Sequence, residues 1–136
     1  MPVTLEWFNP EKTILLEDFY GTVTIEEYHQ MVDEAAALLK ERAIVIHIIA
    51  DFSKTTLSQL PTNLLAAQRY ADLHLPPNQG IVAFVKPGLM IAEVIRIGKR
   101  LRLASTRYVF LATSREEAQA IIASNAHLFE EQAVSG

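Results

Sequence analysis

The stretch Ala43-Ile-Val-Ile-His-Ile-Ile-Ala-Asp51-Phe-Ser-Lys-Thr-Thr56 decides the fold. It opens with a nearly unbroken apolar run and closes in an acid followed by hydroxyls. Such a run, rich in Ile and Val, is what a strand buried on both faces of a parallel sheet presents. Open α/β sheets gather ligands and partners at the carboxyl ends of their strands, which is where Asp51 and Ser53 are expected.

Upstream, Thr24-Ile-Glu-Glu27 reads as a capping box, in which the Thr hydroxyl and the Glu carboxylate satisfy backbone donors reciprocally. It opens a helix to about Arg42 with Ile25, Tyr28, Val32, Ala35, Ala36 and Leu39 on one stripe. Before it, residues 3–8 and 13–20 form an antiparallel hairpin around the turn Asn9-Pro-Glu-Lys12, and Gly21 breaks the second strand. Downstream, Pro61 is expected in the first turn of a second helix carrying Leu64, Ala67, Ala71 and Leu75, which Pro76-Pro77 ends.

Residues 80–85 form a further buried strand. A third helix over about 89–103 places Met90, Ile91, Val94, Ile95, Ile97, Gly98 and Leu101 in one apolar arc, with Arg96, Lys99 and Arg100 as a basic face opposite. Residues 107–112 make the last strand. Ser114-Arg-Glu-Glu117 reads as a second capping box, and Leu128 and Phe129 are expected to dock the tail. The order is ββαβαβαβα in a single α/β domain over 1–136. The first strand is antiparallel and the rest are parallel, joined by right-handed crossovers.

Half of the 136 residues are hydrophobic, which excludes general disorder, and the lack of cysteine excludes disulfides and thiolate metal sites. No apolar run approaches the roughly 20 residues that span a bilayer, and the N-terminus has no secretory pattern. A cytoplasmic protein without stable membrane insertion is expected. The net charge of −4 conceals a balance of +5 between Lys86 and Arg107, which leaves −9 on the remainder. An acidic chain of this kind is not expected to bind nucleic acid, although a local basic face can steer an anionic partner.

Several residues are candidates for a site. Asp51, Ser53, Thr55, Thr56 and Ser58 read either as a polar docking loop above the central strand or as ordinary strand-end chemistry. Lys86 leaves the neighbouring strand just before a helix N-terminus, a place suited to an anion and also an ordinary place for a solvated lysine. The basic face is either plainly solvated, or meets an acidic protein surface, or lies on anionic lipid. His47 shares a strand face with Ile49 and Asp51. Taken as two steps apart, a His–Asp pair spans about 6.5–7 Å, which does not assure a hydrogen bond, and an interior histidine is the simpler reading. The remaining histidines have no metal spacing. The five glycines are dispersed, so no phosphate-cradling loop exists and no cofactor is expected.

The hairpin, the Gly21-x-x-Thr24-x-Glu-Glu27 segment, the strand ending Asp51-Phe-Ser53 and the helix opening Arg115-Glu-Glu-Ala118 together resemble the STAS superfamily, and more closely its SpoIIAA-like bacterial branch. The resemblance implies a sheet of about five strands in sequential order with helices mainly on one face. It also implies a module that binds proteins or small ligands and is not normally an enzyme. Anti-sigma-factor antagonists of that superfamily carry Asp-Ser-Ser-Gly after this strand, with a phosphorylated serine. Here the matching residues are Ser58-Gln-Leu-Pro61, so Gln59 or Leu60 replaces that serine.

If the helices lie on one face, the apolar strands need cover on the other. Either a second subunit or the hairpin and C-terminal tail provides it, and a homodimer is the expected answer. Three functions follow. The first is a non-catalytic regulatory or protein-interaction module using Asp51, Ser53, Ser58 and Lys86. The second is a small-ligand or lipid carrier, by likeness to related lipid-transfer folds. A small hydrolase using Asp51 and His47 ranks behind both.

Overall fold

Asn9 turns the chain first. Its side-chain oxygen accepts from the backbone N–H groups of Thr13 and Ile14 at 3.0 and 3.1 Å, folding β1 (Val3–Trp7) antiparallel onto β2 (Ile14–Tyr20). This computed structural model describes residues 3–60 and 63–129. The Thr24 capping box forms as expected and starts α1 (Ile25–Lys40). There follow β3 (Ile46–Lys54), a 3₁₀ turn at Leu57–Gln59, α2 (Leu64–Leu73), β4 (Gln79–Val85), α3 (Gly88–Arg100), a second 3₁₀ turn at Ala104–Thr106, β5 (Val109–Ala112) and α4 (Arg115–Asn125). The strands lie in sequence order, β1 to β5, with β1 antiparallel and the rest parallel.

β2, β3 and β4 each hand the chain to the next strand through a helix, and these helices, α1, α2 and α3, share one face. Their core includes Leu15, Phe19, Leu39, Ile46, Ile48, Phe52, Ile91 and Ile95. The opposite face carries Ile14, Leu16, Ile49, Ile81, Ala83 and Val85 beneath α4 and Phe129, with Phe8 of the hairpin packed beside them. The helices are thus mainly on one face, and the second face is covered from within the chain. The expectation of a homodimer loses its ground here, because the apolar residues that called for a partner already lie under α4 and the hairpin.

Several boundaries differ from those the residue pattern predicts. β3 starts at Ile46, because Asn78 donates to the carbonyls of Leu39, Arg42 and Ile44 and holds the segment before it as a turn. It also continues through Asp51 to Lys54, since β2 is long enough to pair Tyr20 with Lys54. Asn63 caps α2 with its side chain on the Ala66 N–H, whereas Pro61 lies outside the described residues. On α3 only Ile91, Ile95 and Gly98 are buried, so the apolar arc is narrower than periodicity implies. Ser114 caps α4, but Glu117 returns to Thr113, not to the cap, leaving half a capping box.

His47 is an interior residue. Its ring faces Phe129 edge-on, and Nδ1 accepts the Ile81 N–H at 3.0 Å. Burial lowers its pKa and keeps the ring neutral. The ring lies directly over Gly80, where an added Cβ would meet Nδ1. Gly80→Ala is therefore expected to cost about 2–4 kcal/mol, combining overpacking with a disturbed hydrogen bond. Urea unfolding measures it; a loss below about 1 kcal/mol would mean the ring moves aside freely.

Candidate functional site

Parallel pairing sets Asp18 of β2 opposite Asp51 of β3, Asp51 opposite Val85 of β4, and Val85 opposite Ala112 of β5. One row across the sheet thus carries two neighbouring carboxylates, both on the α4 face. Like charges so close need a cation. It arrives from the first turn of α4: Arg115 Nε donates to Asp51 Oδ2 at 2.6 Å, and its terminal nitrogen lies 3.2 Å from Asp18 Oδ2. Lys54 adds a second cation on Asp18 at 2.9 Å. Asp51 is only 3 % exposed, and its other oxygen accepts the Ser53 N–H at 2.9 Å. Burial alone would raise its pKa, but the hydrogen bonds from Ser53 and Arg115 and the guanidinium charge outweigh it and hold the carboxylate below its ordinary range.

An open depression of about 320 Å³ lies over this cluster, walled by Asp51, Ser53, Lys54, Lys86, Thr113 and Arg115, among others. Three of the residues expected at the site, Asp51, Ser53 and Lys86, do come together there. Lys86 sits in the left-handed backbone region (φ 47°), its N–H donating to Ala112 O as the chain leaves β4 for α3. Ser58 is not part of this group. It lies on the exposed 3₁₀ turn, 3.1 Å from the Thr56 hydroxyl, because β3 runs past Asp51 and carries the loop beyond the depression.

The basic face divides. Arg96 is paired with Glu93 one turn earlier, and Lys99 lies 5.7 Å over the Phe110 ring, while Arg100 is exposed. Arg102, Arg107 and Lys99 instead border a separate hollow beside the second 3₁₀ turn. Beside Lys86, the first turn of α3 exposes Leu89 at 91 % and Met90 at 51 %. Residue reasoning missed Asp18, Lys54 and Arg115. Asp18 had a readable signal: an acid alternating onto a strand face that had to be buried.

His47 and Asp51 are four positions apart on β3, hence separated by about 13 Å, not the 6.5–7 Å of a two-residue step. With His47 committed to Ile81 and Asp51 to Arg115, the pair cannot act as a catalytic dyad. Among the described residues no cluster of His, Cys, Asp and Glu is arranged to hold a metal ion, and no helix is long and apolar enough to cross a membrane.

Among solved structures, the phosphorylated form of the Bacillus cell fate determinant SpoIIAA matches 88 % of this chain and 98 % of its own, with a TM-score of 0.54 and 13 % identity. This chain has the SpoIIAA-like, STAS-type fold. No family model matches the sequence, and no curated protein is significantly similar to it. At such low identity the likeness to SpoIIAA is one of architecture. At the carboxyl edge of its sheet the chain carries an acid pair clamped by Arg115, with an exposed lysine and two exposed apolar side chains nearby.

Proposed function

We propose that the chain is a non-catalytic STAS-like interaction module acting in the cytoplasm, and that it engages a protein partner through the carboxyl edge of its sheet. The observation that carries this reading is the pairing of a locked polar cluster with an unused surface. Arg115 engages both carboxylates, so neither serves as a ready base or nucleophile, while Lys86, Leu89 and Met90 stand exposed next to them. Apolar anchors beside a cation suit a partner surface with an apolar pocket and an acidic rim. The STAS-type architecture supports the same reading.

Affinity capture with the wild-type chain, Lys86→Glu and Leu89→Asp tests it. Both side chains are exposed, so the variants are expected to fold normally and to lose the partner by at least about tenfold. A partner retained by both variants would move the docking surface elsewhere.

The small-ligand reading has one observation in its favour. An apolar hollow of about 100 Å³ lies between the sheet and α1–α3, lined by Phe19, Phe52, Leu64, Ile91 and Ile95 among others. That is room for about three water-sized bodies, far short of a lipid chain.

A further inference from the structure

A second hollow, of about 90 Å³, adjoins the first and shares Tyr28, Ala71, Phe84 and Val109 with it. Its wall is mainly apolar, with Met31, Val32, Ile48 and Val82, yet Glu17 projects there from the middle of β2. Glu17 is only 8 % exposed, on the strand face shared with Leu15 and Phe19 and opposite to that of Asp18 and Arg115. Its backbone is fixed between Leu5 of β1 and Ala50 of β3, so the side chain cannot leave. Among the described residues no hydrogen bond or cation offsets its desolvation, which pushes its pKa up to about 8. At neutral pH it is therefore mostly a carboxylic acid, with one O–H to donate. Gln68 also brings a buried, unpartnered side-chain nitrogen to the first hollow.

The fold gains nothing from an unpaired acid at this position, since a buried polar group without a partner is destabilising. An apolar chamber with a few convergent polar groups is, however, the usual make-up of a small-molecule site. We propose that the two hollows form a binding site for a small, uncharged, mainly apolar molecule bearing a carbonyl or similar acceptor, to which Glu17 donates its acid proton.

The titratable groups that line the chamber with Glu17 are Tyr28 from α1 and His74 at the end of α2; β3, β4 and β5 contribute none. Burial and the neighbouring Glu17 charge push the Tyr28 phenol above its ordinary pKa, so it stays neutral. An anionic ligand would find no lysine or arginine in this lining, and an ammonium ligand would require Glu17 to ionise in an apolar surrounding. Size limits the ligand as well. An apolar cavity of about 150 Å³ holds benzene, so the adjoining hollows suit a ring with one substituent. The hollows lie on the opposite face of the sheet from the Asp18–Asp51–Arg115 cluster, and the binding site does not depend on the proposed docking edge.

Cyclohexanone is a suitable probe, followed by ligand-detected NMR titration of the full chain, with methylcyclohexane and cyclohexylamine as comparators. Saturable binding of cyclohexanone is expected at about pH 6, weakening as pH rises through about 8, where the wild-type acid ionises. Glu17→Gln, whose amide still donates, is expected to bind with no such pH dependence. Glu17→Leu, no larger than the native side chain, should bind at least about tenfold more weakly while melting no lower than wild type. Equal binding of methylcyclohexane would reduce the site to an apolar void and overturn the proposal. So would binding of cyclohexylamine alone, or the absence of saturable binding, which would leave water as the occupant. If Glu17→Leu proves unstable, the contrast in pH dependence between wild type and Glu17→Gln decides the matter by itself.

Discussion

Replacing Glu17 by leucine is expected to stabilise the fold by on the order of 4 kcal/mol at about pH 8. The folded-state pKa of about 8 lies above the ordinary 4.5, so the folded chain holds a proton that the unfolded chain has released. The Glu17 contribution is thus fullest below pH 4.5, is lost progressively as pH rises to about 8, and is constant above that. Leucine abolishes this slope. His47 works in the opposite direction: its lowered pKa makes stability rise with pH up to the ordinary value near 6.5. Below that value the two slopes oppose each other in the wild type, whereas Glu17→Leu should reveal the His47 rise unmasked. Urea unfolding at about pH 5, 7 and 9 reads all of this. Parallel pH profiles for wild type and variant between 6.5 and 8 would show that the carboxyl is hydrated or paired after all.

The second large effect lies on the other face. Arg115→Ala is expected to cost about 2–3 kcal/mol at neutral pH by leaving Asp18 and Asp51 adjacent, buried and without their shared counter-ion. The figure is set below the roughly 3–5 kcal/mol of a fully buried pair because the Arg115 side chain is 35 % exposed and water screens part of the repulsion. Arg115→Lys should recover only part of it, since an ammonium lacks the planar fork that meets two carboxylates at once. The Asp51 carboxylate, held below its ordinary range, contributes stability above the ordinary pKa of 3.8 and loses it as pH falls through its folded value. The penalty of Arg115→Ala should accordingly shrink in acid. A penalty of the same size at about pH 7 and pH 3 would mean that Arg115 acts by packing and not by charge.

These two positions also mark what can be read from residues alone. The run from Ile46 to Ala50 announces a doubly buried strand because neither face has a polar residue except His47, and the Thr24 box fixes the start of α1 by purely local hydrogen bonding. The placement of Asp51, Ser53 and Lys86 at one edge follows from strand direction. Arg115 is different. On its own helix it looks like a first-turn residue of no consequence, and only the return of α4 across the second face brings it to strands far away in sequence. Ser58 fails for a related reason: the distance that β3 runs beyond Asp51 depends on pairing with β2, which no local pattern encodes. Glu17-Asp18 was legible in principle. Two acids in succession on a strand must face opposite sides, and here both sides are buried.

The sequential strand order has a kinetic consequence. Every strand pairs with the one made just before it, so no sheet contact must wait for a distant segment, and each β-α-β step closes only a modest loop. Such a sheet can grow in the direction of synthesis, one unit upon the last. The exception is α4, which reaches back across β5 and β4 to β3 and seals the second face. Until that helix is made, Ile49, Ile81, Ala83 and Val85 face water, and the Asp18–Asp51 pair has no guanidinium. A helix made only after all five strands is therefore the one that ends this sheet's exposure to aggregation.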